Sequence, residues 1–407
     1  LSESEKLYVE KINILGNYLT NENVIRNSLI IDEGDPFNEI LFKKSINRLK
    51  SKNIFGKVDT SVNDGSSEQT KIVDIIVEEQ PTGEIAAAAG TGTSGSQVSF
   101  SIAENNYLGK GIKLRASTTI SDNSLEFLFS RTDPNFKNSS NSLTTTIENS
   151  SEDLMNKFGY KTDKTGFSFG TSFEQFEDVF FSPSISTYYE TLETSSKATT
   201  AKKKQEGDYF DTNLSYSLVL NRLNQNFQPS DGFKSKFSQT IPIVADDKSI
   251  INSYELSKYS KIGENSVFSF IFFARAVNSF DDDVRVSKRI YIPSRKLRGF
   301  ASGKIGPKDG ADYIGGNYGA AINLAATLPQ FLGELQNVDF SVFFDSANLY
   351  GVDYDSSLDS NKIRSSTGLA IDWFTPIGPL SFSFATPLTK ADSDTTETFR
   401  FKIGTTF

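Results

Sequence analysis

The last nine residues, Phe399-Arg-Phe-Lys-Ile-Gly-Thr-Thr-Phe407, admit few folds. Successive side chains of an extended strand point to opposite faces. Phe399, Phe401, Ile403 and Phe407 therefore share one face, and Arg400, Lys402, Gly404 and Thr406 share the other. Such a strand suits either the edge of a half-buried soluble sheet or the wall of a barrel in lipid. Its period alone does not choose between them; the rest of the chain does.

Apolar residues make up 37% of the 407, below the usual globular share, yet 34 residues are phenylalanine. That balance fits a molecule that is polar within and greasy without. No segment approaches the ~18 consecutive apolar residues that a membrane-crossing helix needs. The chain has no cysteine and no histidine. Disulfides, thiol nucleophiles, histidine bases and the usual zinc sites are therefore out of reach. A formal charge of −9 argues against nucleic acid as a partner. The chain opens at Leu1 without a charged-then-apolar leader and reads as a piece of a longer protein.

Residues 1–80 read as a small α+β domain of order β-α-α-β-β. Tyr8 to Leu15 is a strand closed by Gly16-Asn17, and Thr20 or Asn21 caps a helix with Val24, Ile25, Ser28 and Leu29 on one face. Asn38 caps a second helix with Leu41, Ser45, Ile46 and Leu49 as its inner stripe. Two strands around Asp64-Gly65 complete the domain.

From residue 81 to 407, helical periodicity gives way to sixteen strand-like segments, from 83–92 to 397–407. The fold class is mainly β: a 16-stranded antiparallel transmembrane barrel preceded by the small α+β domain. Val338, Phe340, Val342 and Phe344 oppose Asp339, Ser341, Phe343 and Asp345. Phe268, Phe270 and Phe272, then Leu380, Phe382 and Phe384, line up in the same way and are assigned to lipid with Phe399 and Phe401. The first segment, Gly83-Glu-Ile85-Ala86-Ala87-Ala88-Ala89-Gly90, does not alternate and brings little side chain to a neighbour. Stretch 192–207, with Lys202-Lys203-Lys204, reads as a solvated surface loop, and 150–164 looks similar.

Loop 278–312 is too long to be idle connection. It carries Leu297-Arg298-Gly299-Phe300, in which glycine allows a sharp turn beside the guanidinium. Asp345 lies on the polar, lumen-side face of its strand. If the loop folds inward, Arg298 and Asp345 pair there.

Together these residues resemble the BamA family of outer-membrane assembly factors. Leu297 to Phe300 matches the family's Val/Leu-Arg-Gly-Phe/Tyr motif on the sixth extracellular loop. The likeness runs on to Phe407 through Phe343-Phe-Asp345, Ile363-Arg-Ser-Ser-Thr-Gly-Leu369, Trp373 and Pro376-Ile-Gly-Pro-Leu380. Phe227-Gln-Pro-Ser-Asp-Gly232 resembles the periplasmic turn before the ninth strand, and residues 1–80 resemble a POTRA domain, the last before the barrel. One departure is Ala347, where the family usually has glycine two residues after the barrel aspartate.

The resemblance implies an integral outer-membrane barrel with its POTRA domain in the periplasm. It implies a protein that folds and inserts other β-barrels and performs no covalent chemistry. The implied partners are unfolded outer-membrane β-barrel clients, accessory periplasmic lipoproteins of the BamD kind, and outer-membrane lipid. Glu33 matches an acidic position that faces BamD in the family; read by itself it is equally a solvated helix end. A barrel has no free strand edge except where closure is weak. Here closure sets Ile85, Ala86, Ala87, Ala88 and Ala89 against Ile403, Gly404 and Phe407, a lateral seam that can open and offer an edge to a client strand. Gly404 either bends the last strand or packs into the lumen. The rival reading is a sibling POTRA-barrel translocator, TamA-like or of the two-partner-secretion type; a passive porin, which lacks a POTRA domain, is further off.

Overall fold

A computed structural model describes residues 6–263, 266–280, 283–328, 337–359, 362–376 and 378–406. The amino-terminal elements are Tyr8–Leu15 (β1), Glu22–Arg26 (α1), Glu39–Lys50 (α2), Phe55–Asp64 (β2) and Thr70–Glu79 (β3), in the order expected. They build a three-stranded sheet of order β1-β3-β2, with β1 parallel and β2 antiparallel to β3. Asn38 caps α2, its side-chain oxygen accepting the N–H groups of Ile40 and Leu41 at 2.9 and 3.1 Å. The buried stripe of α2 is Phe42, Ser45, Ile46 and Leu49, whereas Leu41 is exposed. Positions 41 and 42 both lie a turn before the 45–46 pair. The larger apolar side chain is the one buried, its ring 6.0 Å from Phe37.

Sixteen antiparallel strands then close into a barrel. The first half comprises Gly83–Gly92 (β4), Gly95–Tyr107 (β5), Ile112–Ser121 (β6), Ser124–Asp133 (β7), Ser142–Asp153 (β8), Tyr160–Phe176 (β9), Val179–Thr194 (β10) and Gly207–Leu223 (β11). Gly232–Ala245 (β12), Ser249–Gly263 (β13) and Ser266–Ser279 (β14) follow. Lys308–Asp309 (β15) and Asp312–Tyr313 (β16) pair only with each other, inside the long loop. The wall resumes with Tyr318–Thr327 (β17), Val338–Tyr350 (β18), Arg364–Thr375 (β19), Gly378–Thr389 (β20) and Phe399–Thr406 (β21). No helix among the described residues is long and apolar enough to cross a membrane.

Three expectations need correction. A strand expected from residue 313 begins at Tyr318, because Asp312–Tyr313 turns back onto Lys308–Asp309. Much of 150–164 is wall, since β8 runs to Asp153 and β9 starts at Tyr160. The lysine-rich stretch is not wholly solvated. Lys202 is fully buried and donates to the Phe158 carbonyl and to Asp312 at 2.8 and 2.6 Å. A buried ammonium needs such partners, and these two acceptors draw one of the three lysines inward.

The chain divides into two compact units. One holds the three-stranded sheet through Ile85 together with Ser101–Ala116 and Phe129–Thr146; the other holds Ala86–Phe100, Ser117–Leu128 and Ile147 onward. The first unit thus takes in parts of β5 to β8, beyond residue 80.

Burial along the strands separates two faces. Phe273, Val277, Phe343, Ala347, Ser383 and Ala385 are buried. Phe268, Phe344, Phe384 and Phe399, of the opposite parity on their strands, are 36%, 39%, 50% and 41% exposed. Phe270, Phe272, Phe340, Phe382 and Phe401 share that outer parity and are half-buried. An arginine on such a face costs about 2–4 kcal/mol at mid-depth. Phe384→Arg is therefore expected to lower the barrel's unfolding midpoint in lipid, followed by its heat-dependent mobility on gels. An unchanged midpoint would mean that the ring points into the lumen.

Candidate functional site

The long loop after β14 packs onto the inner wall. Ile290, Ile292, Leu297, Phe300 and Ile305 are buried in one cluster with Phe273, Val277, Ala321, Ala347 and Leu349. Those wall residues have the parity opposite to the exposed phenylalanines, so the loop lies inside the barrel. Ala347, the departure from the family pattern, is one of its contacts.

The structure brings Arg298 and Asp345 together. The Arg298 side chain donates from Nε and Nη2 to the two oxygens of Asp345, each at 2.7 Å, and its backbone N–H adds a third bond at 3.0 Å. Asp345 is fully buried. Asn323 donates to the same carboxylate at 2.9 Å and to the Lys296 carbonyl at 2.8 Å. The guanidinium carbon sits 3.4 Å from the centroid of the Phe343 ring. Gly299 has φ +87°, and a Cβ there would lie 3.2 Å from the side chains of both Ser366 and Ala385. Only glycine takes this turn without strain so close to the wall. Leu297 and Phe300 flank it, both buried.

Arg400 joins the last strand to the same loop. Its Nη1 donates to the Ser294 carbonyl at 2.6 Å and its Nη2 to the Phe300 carbonyl at 2.7 Å, while Glu397 receives the rest of the fork. Backbone bonds from Glu397 to the Gly299 carbonyl and from Ala301 to the Thr395 carbonyl run alongside. Arg364 and Asp394, both fully buried at their side chains, pair at 2.9 Å, and the Gly306 N–H reaches Asp394. Further along the loop, Arg285 donates to Asp211 at 2.6 Å and lies 3.2 Å from Glu190. None of these bonds was anticipated. The lumen phase of Arg400 was visible in the terminal alternation and could have pointed to it.

Asp353 holds the loop's first turn. It accepts from the Val284 N–H and the Asn317 amide and pairs with Arg289. Burial pushes its carboxyl up, but the Val284 N–H, Arg289 and Asn317 pull harder, and the net shift is downward. A lowered carboxylate stabilises the fold above its ordinary range and ceases to do so as the pH falls through the lowered value. Pepsin digestion is expected to reach residues 284–292 faster as the medium becomes strongly acidic, with a weaker pH dependence in Asp353→Asn.

The seam is short among the described residues. Pairing between β21 and β4 runs from Lys402↔Gly92 through Ile403↔Thr91, Gly404↔Gly90 and Thr405↔Ala89 to Thr406↔Ala88. By contrast, β10 and β11 pair from Val179↔Leu220 to Leu192↔Gly207. Ile403 therefore faces Thr91 rather than any of residues 85–89. Ile85, Ala86 and Ala87 precede the described pairing, and Phe407 lies outside the described residues. A Cβ on Gly404 would meet nothing within 4 Å, so Gly404 is not a packing glycine, and the strand continues through it to Thr406. Gly92 does make a close approach, since a Cβ there would lie 2.4 Å from the Phe401 carbonyl oxygen. A cavity of about 710 Å³ lies beside the seam, lined by Gly90, Gly92, Arg298, Asp372, Arg400 and Lys402 among others.

Glu33 is partly engaged within its own domain, accepting the Ile12 N–H at 3.0 Å and lying 3.5 Å from Arg26. Gly166-Phe167-Ser168-Phe169-Gly170 has the spacing of a nucleophile elbow but sits inside β9, with Ser168 opposite Ser186, and not at a strand-to-helix turn.

Comparison with known proteins agrees with this architecture. Residues 106–407 match the Omp85 superfamily domain, and residues 7–80 match the POTRA model described as a surface antigen variable number repeat. The outer membrane protein assembly factor BamA of Neorickettsia risticii is 27% identical over 421 residues, covering 99% of this chain and 56% of that protein. BamA of Neisseria meningitidis is 23% identical, covering 100% of this chain and 57% of its own length. This chain spans about half the length of the curated relatives it matches. The crystal structure of Haemophilus ducreyi BamA lacking POTRA domains 1–3 superposes with a TM-score of 0.85 at 25% identity, covering 98% of this chain and 85% of that one. CdiB from Acinetobacter baumannii shares the fold at a TM-score of 0.62 and 12% identity, covering 99% of this chain and 74% of that one.

Proposed function

The chain belongs to the Omp85 superfamily, and on that premise we propose that it folds and inserts β-barrel proteins into the outer membrane through the seam between β4 and β21. The barrel is an outer-membrane barrel and the POTRA domain is periplasmic. The observation that carries the proposal is the composition of the seam. Gly90 faces Gly404, and Ala88 and Ala89 face the end of the last strand. Cross-strand side-chain contact supports most strand pairs, and here Ala88, Ala89, Gly90, Gly92 and Gly404 offer little of it. Unpaired backbone groups in lipid cost several kcal/mol each, so an opened seam gains by capturing a strand. A client's terminal strand would supply the missing edge by β-augmentation. The work is strand exchange, with no bond made or broken.

The clients are unfolded outer-membrane barrels, and the POTRA domain hands them on or docks lipoproteins of the BamD kind. Glu33 would offer such a partner the part of its carboxylate left exposed. Loop residues Leu297 to Phe300, fixed by Asp345, brace the inner wall beside the last strand, to which Arg400 ties them.

Proteoliposomes carrying this chain are expected to speed the folding of an unfolded outer-membrane barrel over protein-free liposomes. Equal rates would contradict the proposal; steady large conductance without insertion would turn it into a pore. Arg400→Gln tests the tie between seam and loop. A hydrogen bond from a charged group contributes about 1.5–3 kcal/mol. Losing the bonds to Ser294 and Phe300 is expected to raise protease cleavage at 294–300 while the barrel stays closed on gels.

A further inference from the structure

We infer that Tyr18, Leu19 and Leu108 form a lipid-binding surface that seats the POTRA sheet on the phospholipid face of the membrane. Tyr18 and Leu19 are 93% and 80% exposed, the most exposed pair of adjacent large apolar residues in their domain. They do not hang on a loose loop. The Leu19 and Thr20 N–H groups both donate to Glu79, the latter at 2.6 Å. Thr20 accepts from the Asn106 amide at 2.8 Å, and the Asn21 N–H donates to the Gly109 carbonyl at 2.8 Å. A Cβ on Gly109 would lie 2.0 Å from the Leu19 carbonyl oxygen, so the two backbones touch. The segment is thus held open-faced against the turn between β5 and β6.

That turn fixes the depth. It joins two strands of the wall, and short connections between such strands lie at the membrane boundary. Ile102, earlier on β5, is 63% exposed on the outer face. In the turn itself Leu108 adopts φ 55° and is 69% exposed. A leucine pays strain in the left-handed region, where glycine or asparagine is usual. Such strain, spent on presenting an apolar side chain to the outside, points to a use for that side chain. Tyr107 and Lys110, both exposed beside it, add the aromatic and cationic groups that favour a phospholipid interface.

The inference needs the barrel to sit in a bilayer but not to insert clients, so it fails or stands separately from the proposal above. The chain has one tryptophan, Trp373. In a Trp373→Phe background, Tyr18→Trp places a single reporter on the surface. Reconstituted into phosphatidylethanolamine–phosphatidylglycerol vesicles with bromine near the glycerol end of the acyl chains, it is expected to lose most of its emission. Adding Leu19→Asp and Leu108→Asp is expected to restore that emission, with heat-dependent gel mobility confirming a folded barrel. Emission unaffected by brominated lipid and quenched by acrylamide from the water would overturn the inference.

Discussion

Arg298→Ala is expected to release the lumen loop and sharply reduce client insertion while leaving a folded barrel. The substitution removes both side-chain bonds to Asp345 and the ring contact with Phe343. It leaves a fully buried carboxylate with Asn323 and one backbone N–H as its donors. Breaking a buried pair from one side costs about 3–5 kcal/mol. At tenfold per ~1.4 kcal/mol, the released state of the loop gains on the order of a hundredfold or more. Protease cleavage between residues 283 and 317 is the direct readout. Arg298→Lys keeps the charge but not the two-pronged geometry, and is expected to fall between wild type and alanine. Asp345→Asn in the alanine background removes the stranded charge and is expected to recover part of the loss. If Arg298→Ala leaves the loop as protected as before, the pair does not hold it.

Much of the wall was legible because a membrane barrel must alternate. Each strand meets lipid on one side and lumen on the other, so Phe340, Val342 and Phe344 announce their face. The signal fades where strands leave the membrane. Lys161, Thr162 and Asp163 belong to β9 but alternate polar with polar, and so read as loop. Arg298 and Asp345 were readable together through the shared phase and the motif. The other lumen ties were not. Lys202 finds Asp312 and Arg364 finds Asp394 at long range in the chain, and nothing local distinguishes such a charge from a solvated one. In α2, Leu41 and Phe42 fit the helical period equally well, and only tertiary packing chose between them.

The seam is tested by closing it covalently. Gly90 and Gly404 face each other across it, neither has a left-handed φ, and the chain has no other cysteine to compete. A Cβ at 404 is unobstructed, and one at 90 has the Ile403 carbonyl oxygen at 3.2 Å as its nearest neighbour. Facing residues in an antiparallel pair lie about 4.5–5.5 Å apart at Cα, within disulfide reach. Gly90→Cys with Gly404→Cys is expected to oxidise readily; Thr91→Cys with Ile403→Cys repeats the test one register away. The decisive measurement is client insertion into proteoliposomes by the oxidised protein, before and after reductant. The account predicts insertion near the protein-free rate when the seam is locked, and recovery on reduction, with the barrel folded throughout. Full insertion with the crosslink complete would contradict it.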